Sequence, residues 1–141
     1  MKILQPPDWM RPKGYTNGIA ARGTMVFVSG MVGWDKECRF RSTDIVEQVR
    51  YALQNVVDVL READARPEHI VRMTWYVVDK TEYVNAYKGI GDVYREIIGR
   101  HYPTMTAVQV EALVEDQARV EIEVTAVVPD DAHREGVMQR S

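Results

Sequence analysis

The chain has 141 residues and a formal net charge of −3. Hydrophobic residues make up 45% and charged residues 28% of it, which indicates a single globular domain over residues 1–141 rather than a disordered chain. The acidic balance argues against a nucleic-acid partner. The lack of a long apolar run and of a leader-like N-terminus predicts no membrane partner and a cytoplasmic location.

The N-terminal segment is expected to form an irregular arm followed by two strands. Its prolines and turn formers make residues 1–13 irregular. A short strand is predicted over 18–23, and a second strand, rich in β-forming residues, over 24–29 with Gly30 at its end. A loop follows over 31–41.

A long amphipathic helix should begin near residues 42–44 and end near Ala63. Asp44, with Glu47 three residues later, resembles a capping box and predicts this start. The apolar residues recur at the spacing of a helix that packs on one face, at Ile45, Val46, Val49, Ala52, Leu53, Val56, Val57 and Leu60.

The rest of the chain predicts three strands and a second helix. The strands are expected over 69–79, 104–112 and 120–128, and the helix over 81–100. The element order is β-β-α-β-α-β-β, so we expect the first and last strand pairs to be antiparallel and both helices to cover one face of a mixed sheet. This is the α+β class. Residues 129–141 lose apolar periodicity, which predicts a mobile tail.

The last strand predicts a sheet with two different faces. One face is apolar, formed by Ile122, Val124, Ala126 and Val128. The opposite face is mixed, formed by Glu121, Glu123, Thr125 and Val127. Helices cover only one face, so the other is left for solvent or for a second subunit. An oligomer is therefore favoured over a monomer.

Few residues form a recognisable chemical motif. The histidines lack the spacing of metal ligands, and Cys38 in its charged loop is interpreted as a surface thiol. Glu121 and Glu123 share one face of a strand, as paired acid–base carboxylates do. Ser29 and Gly30 end a strand, a place where a hydroxyl and a freed backbone N–H can contact a ligand. Both features also have ordinary structural explanations, so they do not decide a function.

Seven short motifs, taken together in their order and spacing, resemble one protein family. They are Gly14–Tyr15, Val26–Gly30, Gln48–Leu60, Ala63, Ile70–Asp79, Tyr102–Thr106 and Val120–Val127. Over residues 14–128 they resemble the RidA family, also called the YjgF or L-PSP endoribonuclease family.

This resemblance implies a fold, an assembly and an activity. The fold would be chorismate-mutase-like, and the assembly a homotrimer whose sheets line a central barrel, with active clefts between subunits. The activity would be that of a hydrolase that deaminates reactive enamines or imines to keto acids and ammonia, with no cofactor and no metal. Some members are described as ribonucleases or translation inhibitors, which the negative charge disfavours here.

The resemblance also implies roles for individual residues. Glu121 matches the catalytic carboxylate that holds the attacking water. Tyr15, Ser29 and Gly30 match residues that contact the substrate. The family's deaminases bind the substrate carboxylate with an arginine two residues after a proline, and Met105 occupies that position here.

Met105 changes the substrate that we expect. An arginine binds a carboxylate through two charge-assisted hydrogen bonds, whereas a thioether packs as a flexible hydrophobe. Neither Arg100 nor Arg119 obviously replaces the arginine. We therefore expect a less acidic, or a larger and more apolar, imine-like ligand. Met31, Trp34 and Ala107 are further expected pocket residues, and Met31 and Trp34 are equally suited to the core.

Two other functions stay open at this point. The alternative is a protein of the same fold that binds a small metabolite or another partner without catalysis. Turnover of any imine would separate the two. A ribonuclease is the weakest candidate, since no basic stripe or histidine pair is visible to hold RNA.

Overall fold

The computed structural model describes residues 1–130, so most of the predicted C-terminal tail lies outside the described residues. The strands are β1 (Lys2–Leu4), β2 (Gly18–Ala20), β3 (Thr24–Val32), β4 (Ile70–Val77), β5 (Thr104–Gln109) and β6 (Val120–Val128). The helices are α1 (Ile45–Arg61), α2 (Lys80–Asn85) and α3 (Tyr87–Ile97), and one 3-10 turn spans Pro67–His69.

The main sheet has the strand order β3-β6-β4-β5. Strand β6 runs antiparallel to both β3 and β4, whereas β4 and β5 are parallel. Helices α1 and α3 pack together, and the core lies between this helix layer and one face of the sheet. The predicted α+β class, with a mixed sheet backed by helices, is confirmed. We call the other side of the sheet, which bears Glu121, Glu123 and Thr125, the open face.

The predicted antiparallel pairing is wrong for both the first and the last pair of strands in the chain. Strands β5 and β6 are not neighbours, because the helical crossover from β4 places β5 parallel to it at the edge of the sheet. Residues 110–119 then carry the chain across β4, and the strongly apolar β6 takes a central position. Strand β2 also does not pair with β3; it pairs with β1 in a separate two-stranded sheet, with Ile3 opposite Ile19.

The N-terminal arm is therefore not irregular throughout, since residues 2–4 form a strand.

The second predicted helix is interrupted at Ala86, where φ is −98° and ψ is 6°. This break lets Tyr83 of α2 pack against Trp75 while α3 lies close to α1.

Helix α1 follows the sequence pattern closely. The Asp44 side chain accepts a hydrogen bond from the Glu47 backbone N–H at 3.2 Å, as the capping box predicts. Seven of the eight predicted apolar positions are buried, and Val46 is half-buried. One buried residue of this face is polar: Gln48 has no exposed surface.

The Gln48 side chain links helix α1 to the segment before β6 through hydrogen bonds. Its amide nitrogen donates to the backbone oxygens of Ser42 at 3.0 Å and Gln117 at 2.9 Å. Its side-chain oxygen accepts from the Arg119 backbone N–H at 2.7 Å. Two of these three backbone groups, those of Gln117 and Arg119, lie just before the strand that carries Glu121, and the third, that of Ser42, lies just before helix α1.

We expect Gln48→Met to lower the free energy of unfolding by about 3 kcal/mol, because it keeps the side-chain volume but leaves buried backbone groups unpaired. Gln54→Met is the matched control on the same helix: the Gln54 side chain is exposed and, within residues 1–130, bonds only the Asp58 carboxylate, at 2.9 Å. Urea unfolding of both variants measures the difference. Equal, small losses would contradict the assigned role of Gln48.

No helix among residues 1–130 has the length and apolar character needed to cross a membrane.

Candidate functional site

The Glu121 carboxylate lies directly against Gly30. Glu121 is on β6, and its backbone neighbours in the sheet are Val32 on β3 and Tyr76 on β4. A Cβ atom at position 30 would lie 2.7 Å from Glu121 Cδ, which is closer than side-chain packing allows. Glycine at position 30 therefore leaves the space that the carboxylate occupies.

The environment of Glu121 favours its protonated form. Partial burial raises the pKa of Glu121 above its ordinary value, and the negative charge of Glu123 raises it further. Glu123 is more exposed and accepts a hydrogen bond from the Tyr76 hydroxyl at 3.4 Å. Its charge in turn raises the pKa of Tyr76. A carboxyl with a raised pKa is suited to exchanging a proton with a reacting group.

Ser29 and Gly30 lie at an irregularity of β3. The register between β3 and β6 shifts between Val28 and Met31, so the strand contains one extra residue there. Ser29 and Gly30 are consequently both exposed, which strict alternation would not allow. The strand continues to Val32 rather than ending at Gly30. The irregularity leaves Ser29 exposed next to Gly30, on the strand that adjoins the one carrying Glu121.

Tyr15, Met105 and Ala107 line a second region, a cavity of about 640 Å³ between β5, the helices and the N-terminal segment. The N-terminal segment is fixed to the sheet by Thr16. Its backbone N–H donates to the Pro103 oxygen at 3.1 Å, and its hydroxyl donates to the Tyr102 oxygen. These bonds hold Tyr15 beside Met105, far from it in sequence.

Met105 faces the helix layer. It stands opposite the fully buried Met73 in the β4–β5 register and packs against the core. Two of the other expected pocket residues, Met31 and Trp34, lie outside this cavity. Met31 packs against the core, and Trp34 lines a different cavity together with Phe40 and Cys38.

The cavity has residues that the sequence did not single out as a site. We name it the aromatic cavity, because its wall includes Trp75, Tyr83, Tyr87, Tyr94 and Tyr102 in addition to Tyr15. The tyrosines of α2 and α3 have the spacing of an ordinary apolar helix stripe, which hides their shared position. The indole N–H of Trp75 is buried and has no hydrogen-bond partner among the described residues.

The candidate residues thus form two groups on opposite faces of the sheet. Glu121, Gly30 and Ser29 belong to the open face, and Tyr15 and Met105 belong to the helix side. Strand β4 also separates β6 from β5, so the two groups are about 10 Å apart across the strands alone, at about 4.8 Å per strand spacing. Within one chain they do not form a common pocket.

Comparison with known proteins assigns the chain to a family. The family model described as Endoribonuclease L-PSP matches residues 10–128. The chain belongs to this family. It is the family that the seven sequence motifs resemble, so the recognition from sequence is confirmed.

The relatives carry names that describe deaminases. TdcF of Escherichia coli K12, named for reactive intermediate deamination, is 32% identical over 116 residues, covering 80% of this chain and 85% of TdcF. The 2-iminobutanoate/2-iminopropanoate deaminase of Capra hircus is 30% identical over 103 residues, covering 72% of each chain.

Solved structures of the family share the fold. The Rid-family protein YyfB of Yersinia pestis superposes with a TM-score of 0.79 at 24% identity, covering 90% of this chain and 98% of YyfB. E. coli TdcF with bound serine superposes with a TM-score of 0.64 at 30% identity, covering 91% of this chain and 99% of TdcF. A small ligand is therefore bound by a relative of this fold.

Proposed function

We propose that this chain hydrolyses reactive imines or enamines, with a substrate range shifted away from small 2-imino acids by Met105. The observation that carries the proposal is the position of the Glu121 carboxylate. It is partly buried over Gly30, its pKa is raised, and the exposed Ser29 hydroxyl lies on the next strand. The deaminases among the relatives support the reaction type.

In the proposed reaction, Glu121 is the acid–base group. The imine enters this reaction in its protonated form. The Glu121 carboxylate accepts a proton from a water molecule as the water oxygen attacks the imine carbon, which gives a neutral carbinolamine. The Glu121 carboxyl then protonates the amino nitrogen, and the carboxylate accepts the hydroxyl proton as the C–N bond breaks, so ammonia leaves, the carbonyl group forms and the last proton returns to solvent. One water is consumed, and one keto compound and one ammonia are released. Ser29 and Tyr15 would position the ligand.

A homotrimer would bring the two groups of residues together. One chain holds the Glu121 group and the Met105 group on opposite faces, so a complete cleft needs a second copy. The open face also carries exposed apolar side chains, with Phe27 70% and Met25 58% exposed. Such a patch is typical of a subunit interface.

We expect light scattering to give a mass near three times 16.2 kDa, about 49 kDa. Phe27→Glu should dissociate this assembly, because it places a charge in the apolar interface. Val114→Glu is the control, since Val114 is fully exposed in the loop before β6. A mass of 16.2 kDa at every concentration would contradict both the trimer and the shared cleft.

The reaction is tested with imines generated in situ by amino-acid oxidases. The full chain should accelerate the loss of at least one imine and the release of ammonia. Ligand binding without turnover of any imine would instead favour a metabolite-binding protein on the same fold.

A further inference from the structure

Aromatic rings are concentrated around the aromatic cavity. Six of the twelve aromatic residues of the chain line it, which is far more than a random share of one surface region. Its deep wall contains Trp75, 1% exposed, with the buried Tyr83 and Tyr94. Tyr87, 56% exposed, and Tyr15 stand at its mouth. Its volume is that of a small-molecule site.

The rings contact each other in two groups. Tyr83 meets Tyr87 edge to face with centroids 5.2 Å apart, and Trp75 lies 6.3 Å from Tyr83. Tyr94 and Tyr102 are stacked with centroids 5.7 Å apart. These contacts restrict the orientation of five of the six rings; Tyr15 belongs to neither group. A flat ring that enters the cavity therefore meets preorganised faces and edges.

The charges of the cavity are all of one sign. Lys13 and Arg95 line it, and no acidic side chain does so among the residues described. Arg95 lies over Gly91, and one of its terminal nitrogens donates to Asp92 at 2.6 Å. The other, Nη1, would lie 3.4 Å from a Cβ atom at position 91, and Gly91 also lines the cavity. A cationic ligand is disfavoured at this rim, and an anionic group is favoured.

We propose that the aromatic cavity binds ligands with an aryl ring and an anionic substituent. The ring would lie among the tyrosines and Trp75 with Met105 against it, since a thioether packs well on aromatic rings. The anionic group would meet Arg95 and Lys13 at the rim. As a substrate, the ligand is an aryl-substituted 2-imino acid; this part rests on the proposed function, and the binding itself does not.

Arg95 would thus take over anion binding from the strand position that Met105 occupies. The Arg95 side chain is 47% exposed, whereas Met105 packs against the core, so a ligand with a large side chain would be needed to reach both the aromatic wall and Arg95. A ligand as small as pyruvate would contact either the aromatic wall or the rim, but not both at once.

Calorimetric titration of the full chain with phenylpyruvate, pyruvate and phenylacetone tests the proposal. Phenylpyruvate has the ring and the carboxylate, pyruvate lacks the ring, and phenylacetone lacks the carboxylate. We expect phenylpyruvate to bind at least tenfold more tightly than either of the others. Equal affinity for phenylpyruvate and pyruvate would overturn the proposal.

Two pairs of variants locate the contacts. Tyr87→Ala should weaken phenylpyruvate binding about fivefold, whereas Tyr51→Ala, a tyrosine of helix α1 at a different cavity, should not. Arg95→Gln should weaken phenylpyruvate but not phenylacetone. Arg61→Gln is its control, because Arg61 forms the same kind of exposed pair with Asp58, three residues earlier. Losses as large in the controls as in the cavity variants would overturn the assignment.

Failure of this proposal and failure of the proposed function give different results. Phenylpyruvate that binds tightly, without hydrolysis of any imine, supports the aryl site and contradicts the enzyme. Hydrolysis of small aliphatic imines, without selective phenylpyruvate binding, supports the enzyme and contradicts the aryl site.

Discussion

Replacing Glu121 with glutamine should reduce imine turnover by about 10²–10⁴-fold, the range for loss of an acid–base group. Glutamine keeps the volume that fits over Gly30 and removes the proton acceptor. The free energy of unfolding should not fall, because the folded protein disfavours the Glu121 charge that the variant removes. Turnover with the fastest imine of the oxidase assay, together with urea unfolding, measures both effects.

Glu123→Gln is the matched control for this variant. Glu123 is on the same strand and the same face, but it is exposed and bonds Tyr76 rather than lying over Gly30. We expect its loss to change turnover less than threefold, within the small range of an exposed contact. Equal losses in both variants would show that the catalytic carboxylate is misassigned.

The pH dependence follows from the raised pKa of Glu121. Water activation needs the ionised carboxylate, so kcat/KM should fall as the pH drops through a pKa above the ordinary value of 4.5. Because the folded state binds this proton more tightly than the unfolded state, stability decreases as the pH rises through the same range. Glu121→Gln should abolish both dependences. A wild-type profile that is flat down to pH 4.5 would contradict them.

Met105→Arg should confer measurable hydrolysis of iminopyruvate, with a gain of about 10–100-fold over the wild type. A charge-assisted hydrogen bond contributes about 1.5–3 kcal/mol, which converts to this range. The arginine would extend into the aromatic cavity, where Met105 leaves space beside Tyr15. The same variant should bind phenylpyruvate less tightly than the wild type, because the guanidinium occupies the proposed ring position.

Met105→Leu is the control for a change of shape without charge, and it should show no gain. Two results would contradict the role of position 105. One is wild-type hydrolysis of iminopyruvate as fast as that of the best substrate. The other is a folded Met105→Arg protein with the wild-type mass that shows no gain.

The sequence predicted the local structure best where one periodicity dominates. Helix α1 has both a capping residue and an apolar stripe, so its start at Asp44 and its buried face follow from the residues alone. The strands of the main sheet are equally clear, since β-branched and aromatic residues fill them. Ser29, Gly30 and Glu121 were found as candidates in the same way, from strand positions and from the family resemblance.

The sequence did not predict which strands are neighbours. Chain proximity favours pairing of β5 with β6, but hydrogen bonding across the sheet depends on where the helical crossover from β4 places β5. The short strand β2 has too few residues to specify a partner, so it pairs with the N-terminal arm instead of the sheet.

The sequence by itself determined the family and the α+β class, and it made Glu121 and Met105 candidate site residues, because each depends on residue type and local spacing. Only the tertiary structure decided the rest. It separated the Glu121 group from the Met105 group by placing them on opposite sheet faces, and it gathered Tyr15, Trp75 and the helix tyrosines around one cavity. Both outcomes arise from contacts between residues distant in sequence, which no local pattern encodes.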